Sequence, residues 1–421
     1  MLISNRTTSN GPINEEAKGT RLDDVGFRWL LWSLLFLHVF EPASYVFSNY
    51  VNQIFTYLGY FSVAATVVLF FMYRYRFDAW LFLLCLGFVL SAVSTVFMDS
   101  MGALKSHVTE SVEVIAFILL LDIGLKNDRR ACLRGFYVVA AITILVCAYT
   151  MFAYKKSGGM RHNAGTLLLD WGRRQSRNWY YLGHDTGSIF YIYPALVIML
   201  VHDYLYKGGV TVLTAACYVA TLASCIYVAS TSATILLIVS SMVFLVLENF
   251  RMNWLTFGSC IVFWVVANIG VVHLRWYSRF QDFIVTVLHK SADLTGREYI
   301  WERALLQINN HPYFGSGTLN NATLGMVLGI NHCHNLLLEY LFRGGVVGLV
   351  VFLLAFTLSG RKVKALSVGP IKNLIIAAIF GYTILCLFDG YYFNPVPYAL
   401  FCLANNLVDL QSEYENNGVE A

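Results

Sequence analysis

Charge is scarce in this chain. Asp, Glu, Lys and Arg make up 13% of its 421 residues, against 57% hydrophobic residues. A soluble domain carries about a quarter charged residues, so that class is excluded and a membrane protein is indicated. Paired cysteines are missing as well. Nine cysteines are scattered, mostly inside apolar runs as at Cys85, Cys147, Cys217 and Cys260, and no CxxC pair occurs. This argues against a disulfide framework and leaves small buried hydrophobes. Nor is there a visible cleavable signal peptide, a repeat period, a low-complexity segment, or a stretch between apolar runs long enough to bury a core of its own.

What is present is a series of apolar runs of about 20 residues, each the length a bilayer requires. Hydropathy centres them in 27–47, 55–72, 80–98, 112–125, 136–154, 188–205, 209–229, 233–249, 254–273, 336–357, 371–388 and 392–409. The expected fold is an all-α, polytopic integral membrane protein of about 12 transmembrane helices with two long external loops. Basic residues in "YRYRF" (73–77), "KNDRRACLR" (126–134), "FRMN" (250–253) and "GRKVK" (360–364) fall on one side, which the positive-inside rule makes cytoplasmic. Residues 1–26 then read as a cytoplasmic tail, 27–409 as the transmembrane domain and 410–421 as a second cytoplasmic tail. The external loops run over about 155–187 and 274–335.

The first external loop is basic, with Lys155, Lys156, Arg161, Arg173, Arg174 and Arg177 against Asp170 and Asp185. Long loops translocate largely regardless of charge; alternatively, the charge faces an anionic substrate. Charge alone favours neither. "RNWYYLGHDTGS" adds aromatic rings and His184, a combination that suits carbohydrate but also an interfacial belt. In the second loop, Ile300, Trp301, Ala304, Leu305 and Ile308 recur at helical spacing, which predicts an amphipathic helix ended by "HPYFGSG". Arg297 on it is either a phosphate clamp or half of a surface salt bridge, and Arg303 is a further candidate substrate contact.

"NHCHN" follows, at the mouth of the tenth run. A helix starting at Asn335 would offer its positive end to anions, and the same field disfavours imidazolium, so His334 would accept a proton. His332 and Asn335 join it as candidate substrate contacts, with Asn335 also a good N-cap. His-x-His is a weak metal signal because no third carboxylate or histidine clusters with it in sequence, so neither metal nor cofactor is expected. Glu339 and Arg343 form an i,i+4 pair, and Gly344 and Gly348 have small-xxx-small spacing for helix packing.

Taken in order, "GREYIWERAL", "NHPYFGSG" and "HNLLLEYLFRGGVVG" resemble the O-antigen polymerase and O-antigen ligase superfamily. The resemblance implies transfer of a glycan from an undecaprenyl diphosphate carrier to a hydroxyl acceptor at the outer face of the bacterial plasma membrane. It implies inverting, metal-independent chemistry and carries a catalytic role to His334 and a loop-arginine role to Arg297. Arg173, Arg174 and Arg177 are then candidate diphosphate donors, and His184 a candidate substrate contact. The implied partners are the lipid-linked donor, the acceptor glycan, membrane lipids and a chain-length regulator, with no nucleic acid. The chain departs from the family at "STSAT", where ligases and many relatives carry an arginine near Ser232. That departure favours a polymerase over a ligase and leaves Arg275 and Arg279 as other possible donors. A flippase is the rival class, but its functional charges lie deep in a repeat-built bundle, whereas these charges gather in two loops.

Overall fold

The computed structural model describes residues 26–43, 46–98, 101–163, 177–184, 186–250, 255–286, 294, 296–366 and 369–416. The apolar runs become helices. In chain order these are α1 (Arg28–Leu37), α2 (Asn49–Met72), α3 (Ala79–Phe97), α4 (Met101–Asn127), α5 (Arg129–Tyr154), α6 (Ile189–Lys207), α7 (Val212–Tyr227), α8 (Thr231–Phe250) and α9 (Phe257–Asn268). After α9 come α10 (Gln281–Thr286), α11 (Arg297–Asn310) and α12 (Asn321–Leu328). The chain then returns to the bundle as α13 (Leu336–Ser359), α14 (Pro370–Leu385), α15 (Tyr398–Asn405) and α16 (Leu407–Asn416). Helix starts fall where the sequence supplies an acceptor for orphan N–H groups. Thr211 caps α7, Thr256 caps α9 with Ser259 returning the bond, and Asn320 caps α12.

Among the described residues six helices, α2, α3, α5, α6, α8 and α13, are long and apolar enough to cross a membrane, and α1, α7, α9 and α14 are shorter apolar helices. Two expected spans take a different form. The fourth, read as 112–125, is the 27-residue α4. Its first half carries Lys105, Glu110 and Glu113, which hides its length from hydropathy. The twelfth, read as 392–409, is only the eight-residue α15. Pro395 and Pro397 keep the preceding residues out of the helix.

α3 lies along α13, α1 along α5 and α8 along α14. α13 is broken at Gly345, whose φ of 61° lies in the left-handed region. A Cβ there would stand 2.3 Å from the Tyr313 carbonyl, so only glycine fits. The segment "PYFGSG" fills the break with backbone. Ser316 N–H and Gly317 N–H donate to the Phe342 and Arg343 carbonyls (2.7 and 2.9 Å), while Val346 and Val347 donate back to Pro312 and Tyr313 (2.9 and 3.1 Å). The expected close-packing pair is therefore corrected. Gly344 has nothing within 4 Å of a built Cβ and Gly348 meets only the carbonyl of Tyr340 at 4.0 Å, whereas Gly345 makes the close approach.

α11 is the amphipathic helix the spacing predicts: Ile300, Trp301, Ala304 and Ile308 are buried and Leu305 is half-buried. With α12 they form a second apolar cluster that includes Leu338 and Phe342 of α13. The second loop thus folds onto the first turns of α13. The first loop contains a small antiparallel sheet, β1 (Arg161–Asn163), β2 (Arg177–Tyr180) and β3 (Gly183–His184), with Trp179 opposite His184.

Candidate active site at the amino end of α13

Gly329, with φ of 76°, ends α12, and the chain turns through residues 331–335 into α13. Asn335 is the N-cap, its Oδ1 accepting from Leu338 N–H at 2.9 Å. His334 just before it has φ of 49°, a left-handed conformation that costs a non-glycine residue about 1–3 kcal/mol. The surroundings hold it there. Trp301 Nε1–H donates to the Cys333 carbonyl (3.1 Å), Cys333 N–H to Glu339 Oε2 (2.8 Å), and Leu336 N–H to the Cys386 carbonyl (3.1 Å). Glu339 is itself paired with Arg343 at 2.6 Å, as the i,i+4 spacing predicts, and Arg343 donates to Thr318 at 2.7 Å. Both charges are buried, so each is the other's compensation.

The loop after α14 closes over this turn. Gly390 brings its backbone against Leu336, where a Cβ would come within 2.6 Å of the leucine Cβ. Asp389 beside it accepts from Gly390 N–H (3.0 Å) and from the His334 ring at Nδ1 (3.1 Å). Burial works against ionising Asp389, but His334, His332 and Arg297 together hold its carboxyl well below the usual carboxylate range. An ionised Asp389 accepts only, so His334 carries a proton on Nδ1, and in the neutral ring Nε2 is the acceptor nitrogen. His332 Nδ1 accepts the His334 N–H at 3.2 Å, with the two ring centroids 3.9 Å apart.

Of the residues singled out from the sequence, His334 and His332 are adjacent, and the charge of Arg297 acts on Asp389 from the start of α11. His184 approaches from the first loop, its Nε2 bonded to Tyr391 Oη at 2.7 Å. Asn335 acts as scaffold. Its Oδ1 also accepts from Asn268 (2.8 Å) and its Nδ2 donates to the Leu387 carbonyl (3.0 Å), so protein partners use the amide that was expected to contact substrate. Arg303 lies over the Tyr299 ring and donates to the Met326 carbonyl at 3.1 Å, securing α12. Arg275 is paired with Glu298 at 2.6 Å and with Glu302. Arg173 and Arg174 lie outside the described residues, as does the side chain of Arg177.

Two residues of this site, Asp389 and Tyr391, escaped the sequence reading. Their signal was the Asp-Gly dipeptide that interrupts the apolar run after α14. Asp389 also removes the argument against a metal, since His332, His334 and Asp389 offer ligand atoms that all lie within 4.8 Å of one another. The same contacts make a hydrogen-bonded base: Asp389 and His334 Nδ1 face each other, and His332 Nδ1 is taken by a backbone N–H.

Residues 216–353 match the family model described as O-antigen ligase, a stretch that runs from α7 through the break in α13 and includes Arg297, His332 and His334. That match, over about a third of the chain, supports a relationship to the O-antigen polymerase and ligase superfamily. No curated protein matches the chain. The apolar helices make it a multi-pass membrane protein, and the match supports a polysaccharide polymerase or ligase type of role. Asp389 and Tyr391 lie beyond the matched stretch.

Proposed function

We propose that this protein polymerises lipid-linked polysaccharide repeat units, moving glycan from an undecaprenyl diphosphate donor to a hydroxyl of an acceptor glycan at the outer face of the plasma membrane. The His334–Asp389 hydrogen bond carries the reading, because it orients an imidazole with its acceptor nitrogen directed away from the carboxylate. The acceptor hydroxyl gives its proton to His334 Nε2 as its oxygen bonds to the anomeric carbon. The anomeric C–O bond to diphosphate breaks on the opposite face, so the configuration inverts and undecaprenyl diphosphate leaves.

Arg297 stabilises the charge that builds on the leaving diphosphate, and this is the larger task because diphosphate is already a good leaving group. One such donor is worth roughly 10²–10³ in rate. Basic residues of the first loop, Arg173, Arg174 and Arg177 among them, supply further positive charge in this scheme. The match of residues 216–353 to an O-antigen ligase family favours a second reading, transfer to a lipid A-core acceptor by a ligase. The absence of an arginine at "STSAT" favours the polymerase.

The test uses the purified protein in detergent with undecaprenyl diphosphate-linked repeat units and no other acceptor. A ladder of longer lipid-linked glycans, lost in His334→Ala, is expected, and Arg297→Ala should lose at least as much activity. Transfer only after lipid A-core is added makes the protein a ligase. No transfer under either condition removes the enzyme reading, and a fully active Arg297→Ala removes the role given to that residue.

A further inference from the structure

The catalytic scheme leaves unexplained a row of rings that ends on His334. From Trp179 the ring centroids step 5.9 Å to His184, 6.4 Å to Tyr391, 5.3 Å to His332 and 3.9 Å to His334. Three distant segments supply the row: the β2–β3 hairpin, the turn before α13 and the loop after α14. The three histidines are nearly covered, while Trp179 and Tyr391 are only half-buried.

Each ring is held in place. Trp179 sits opposite His184 in the hairpin register and its carbonyl accepts Met160 N–H at 2.8 Å. Gly159 packs so closely beneath it that a Cβ would fall 2.8 Å from the Trp179 backbone. His184 Nδ1 accepts from Gly187 N–H at 3.2 Å, which puts the ring proton on Nε2 and makes that nitrogen the donor to Tyr391. Tyr391 is only two residues from Asp389, so the loop that orients the base also fixes this ring. Interfacial belt residues have no reason to line up on a buried histidine pair. Core packing would bury the two large rings first.

We propose that this row is the binding strip for the acceptor glycan. Pyranose rings present an apolar C–H face and a polar edge, and aromatic faces with polar tips match both. Consecutive sugar rings stack on Trp179 and Tyr391 and deliver the terminal hydroxyl to His334. Acceptors of two or more sugars are therefore held better than single sugars. This inference rests on the transferase reading of the His334 site.

The test measures equilibrium binding to the full-length protein in detergent. The probe is the repeat-unit oligosaccharide released by mild acid from the lipid-linked material of the same cells. Wild type should bind it, and Trp179→Ala should bind roughly three- to tenfold more weakly, the value of one aromatic stacking contact. Trp179→Phe should restore most of the loss, which a merely structural tryptophan would not predict. In turnover the same variants should raise the acceptor KM and leave kcat near wild type. Tyr391→Leu provides a second reading if Trp179→Ala does not fold. Unchanged binding in the folded variants overturns the strip. So does a wild type that transfers glycan yet binds no free oligosaccharide, an outcome that leaves the transferase reading intact. Absence of both binding and transfer overturns the two together.

Discussion

In the proposed scheme His334 is the residue on which conformation, hydrogen bonding and chemistry converge. Its left-handed backbone is sustained by bonds at the peptides on either side, and its ring faces a carboxylate that burial alone would neutralise. Replacing Asp389 with Asn keeps the shape but presents an amide donor to Nδ1. The ring proton then moves to Nε2 and the base is lost. Asp389→Asn should reduce kcat roughly a hundredfold, within the range of general-base effects, with little change in donor KM. A variant with wild-type kcat would remove Asp389 from the scheme. Stability gives an independent check. A carboxylate with a lowered folded value contributes stability that is complete above its ordinary value of 3.8 and is lost only as pH falls through the folded value. The difference in Tm between wild type and Asp389→Asn should therefore be the same at pH 7 and pH 5; a difference that shrinks by pH 5 contradicts a held-down carboxylate. Because His332, His334 and Asp389 also have the spacing of metal ligands, chelation is informative too. Transfer should survive EDTA dialysis. Loss of activity restored by a divalent metal would reassign the three residues.

At the scale of elements, the site depends on an interrupted helix. α13 supplies its amino end to the histidine turn and admits the "PYFGSG" backbone at Gly345 a few turns later. Between these points the buried Glu339–Arg343 pair joins the turn to the inserted segment, with Cys333 N–H on one side and Thr318 on the other. Thr318 also contacts His107 of α4 at 2.7 Å, so the pair connects four segments. Removing one partner of a buried pair costs about 3–5 kcal/mol, because the other charge is left uncompensated. Arg343→Met should lower the thermal midpoint in detergent sharply, and the double variant with Glu339→Gln should recover much of the loss. Additive losses would mean that the two charges are compensated separately. The pair was legible from its i,i+4 spacing, and the amphipathic α11 from its apolar period. The break was not, because hydropathy reads "LFRGGVVG" as continuous span and cannot know that a segment almost thirty residues earlier will occupy the gap. Asp389 was missed for the same reason: its partner lies 55 residues away.

For the whole molecule, the open quantity is which face of the membrane the site occupies. Contacts already gather two of the basic loops at one end, since Lys126 pairs with Asp78 at 2.8 Å and Arg129 with Glu413 at 2.5 Å. Those bonds join the α2–α3 connection, the α4–α5 turn and the carboxyl-terminal α16. Short basic loops remain cytoplasmic, so the opposite end, with α11 and the histidine turn, should face outward. The native cysteines suit a labelling test, because eight of the nine are buried and Cys85 is half-covered. A membrane-impermeant thiol reagent should therefore find little background. Leu306 is 68% exposed on the same helix as Arg297, and Lys207 is exposed at the far end of α6. Leu306→Cys should label in intact spheroplasts, and Lys207→Cys only after permeabilisation. The reverse pattern would put the site in the cytoplasm, where the basic loops would have to be external against the charge rule and the lipid-linked donor would be met before export.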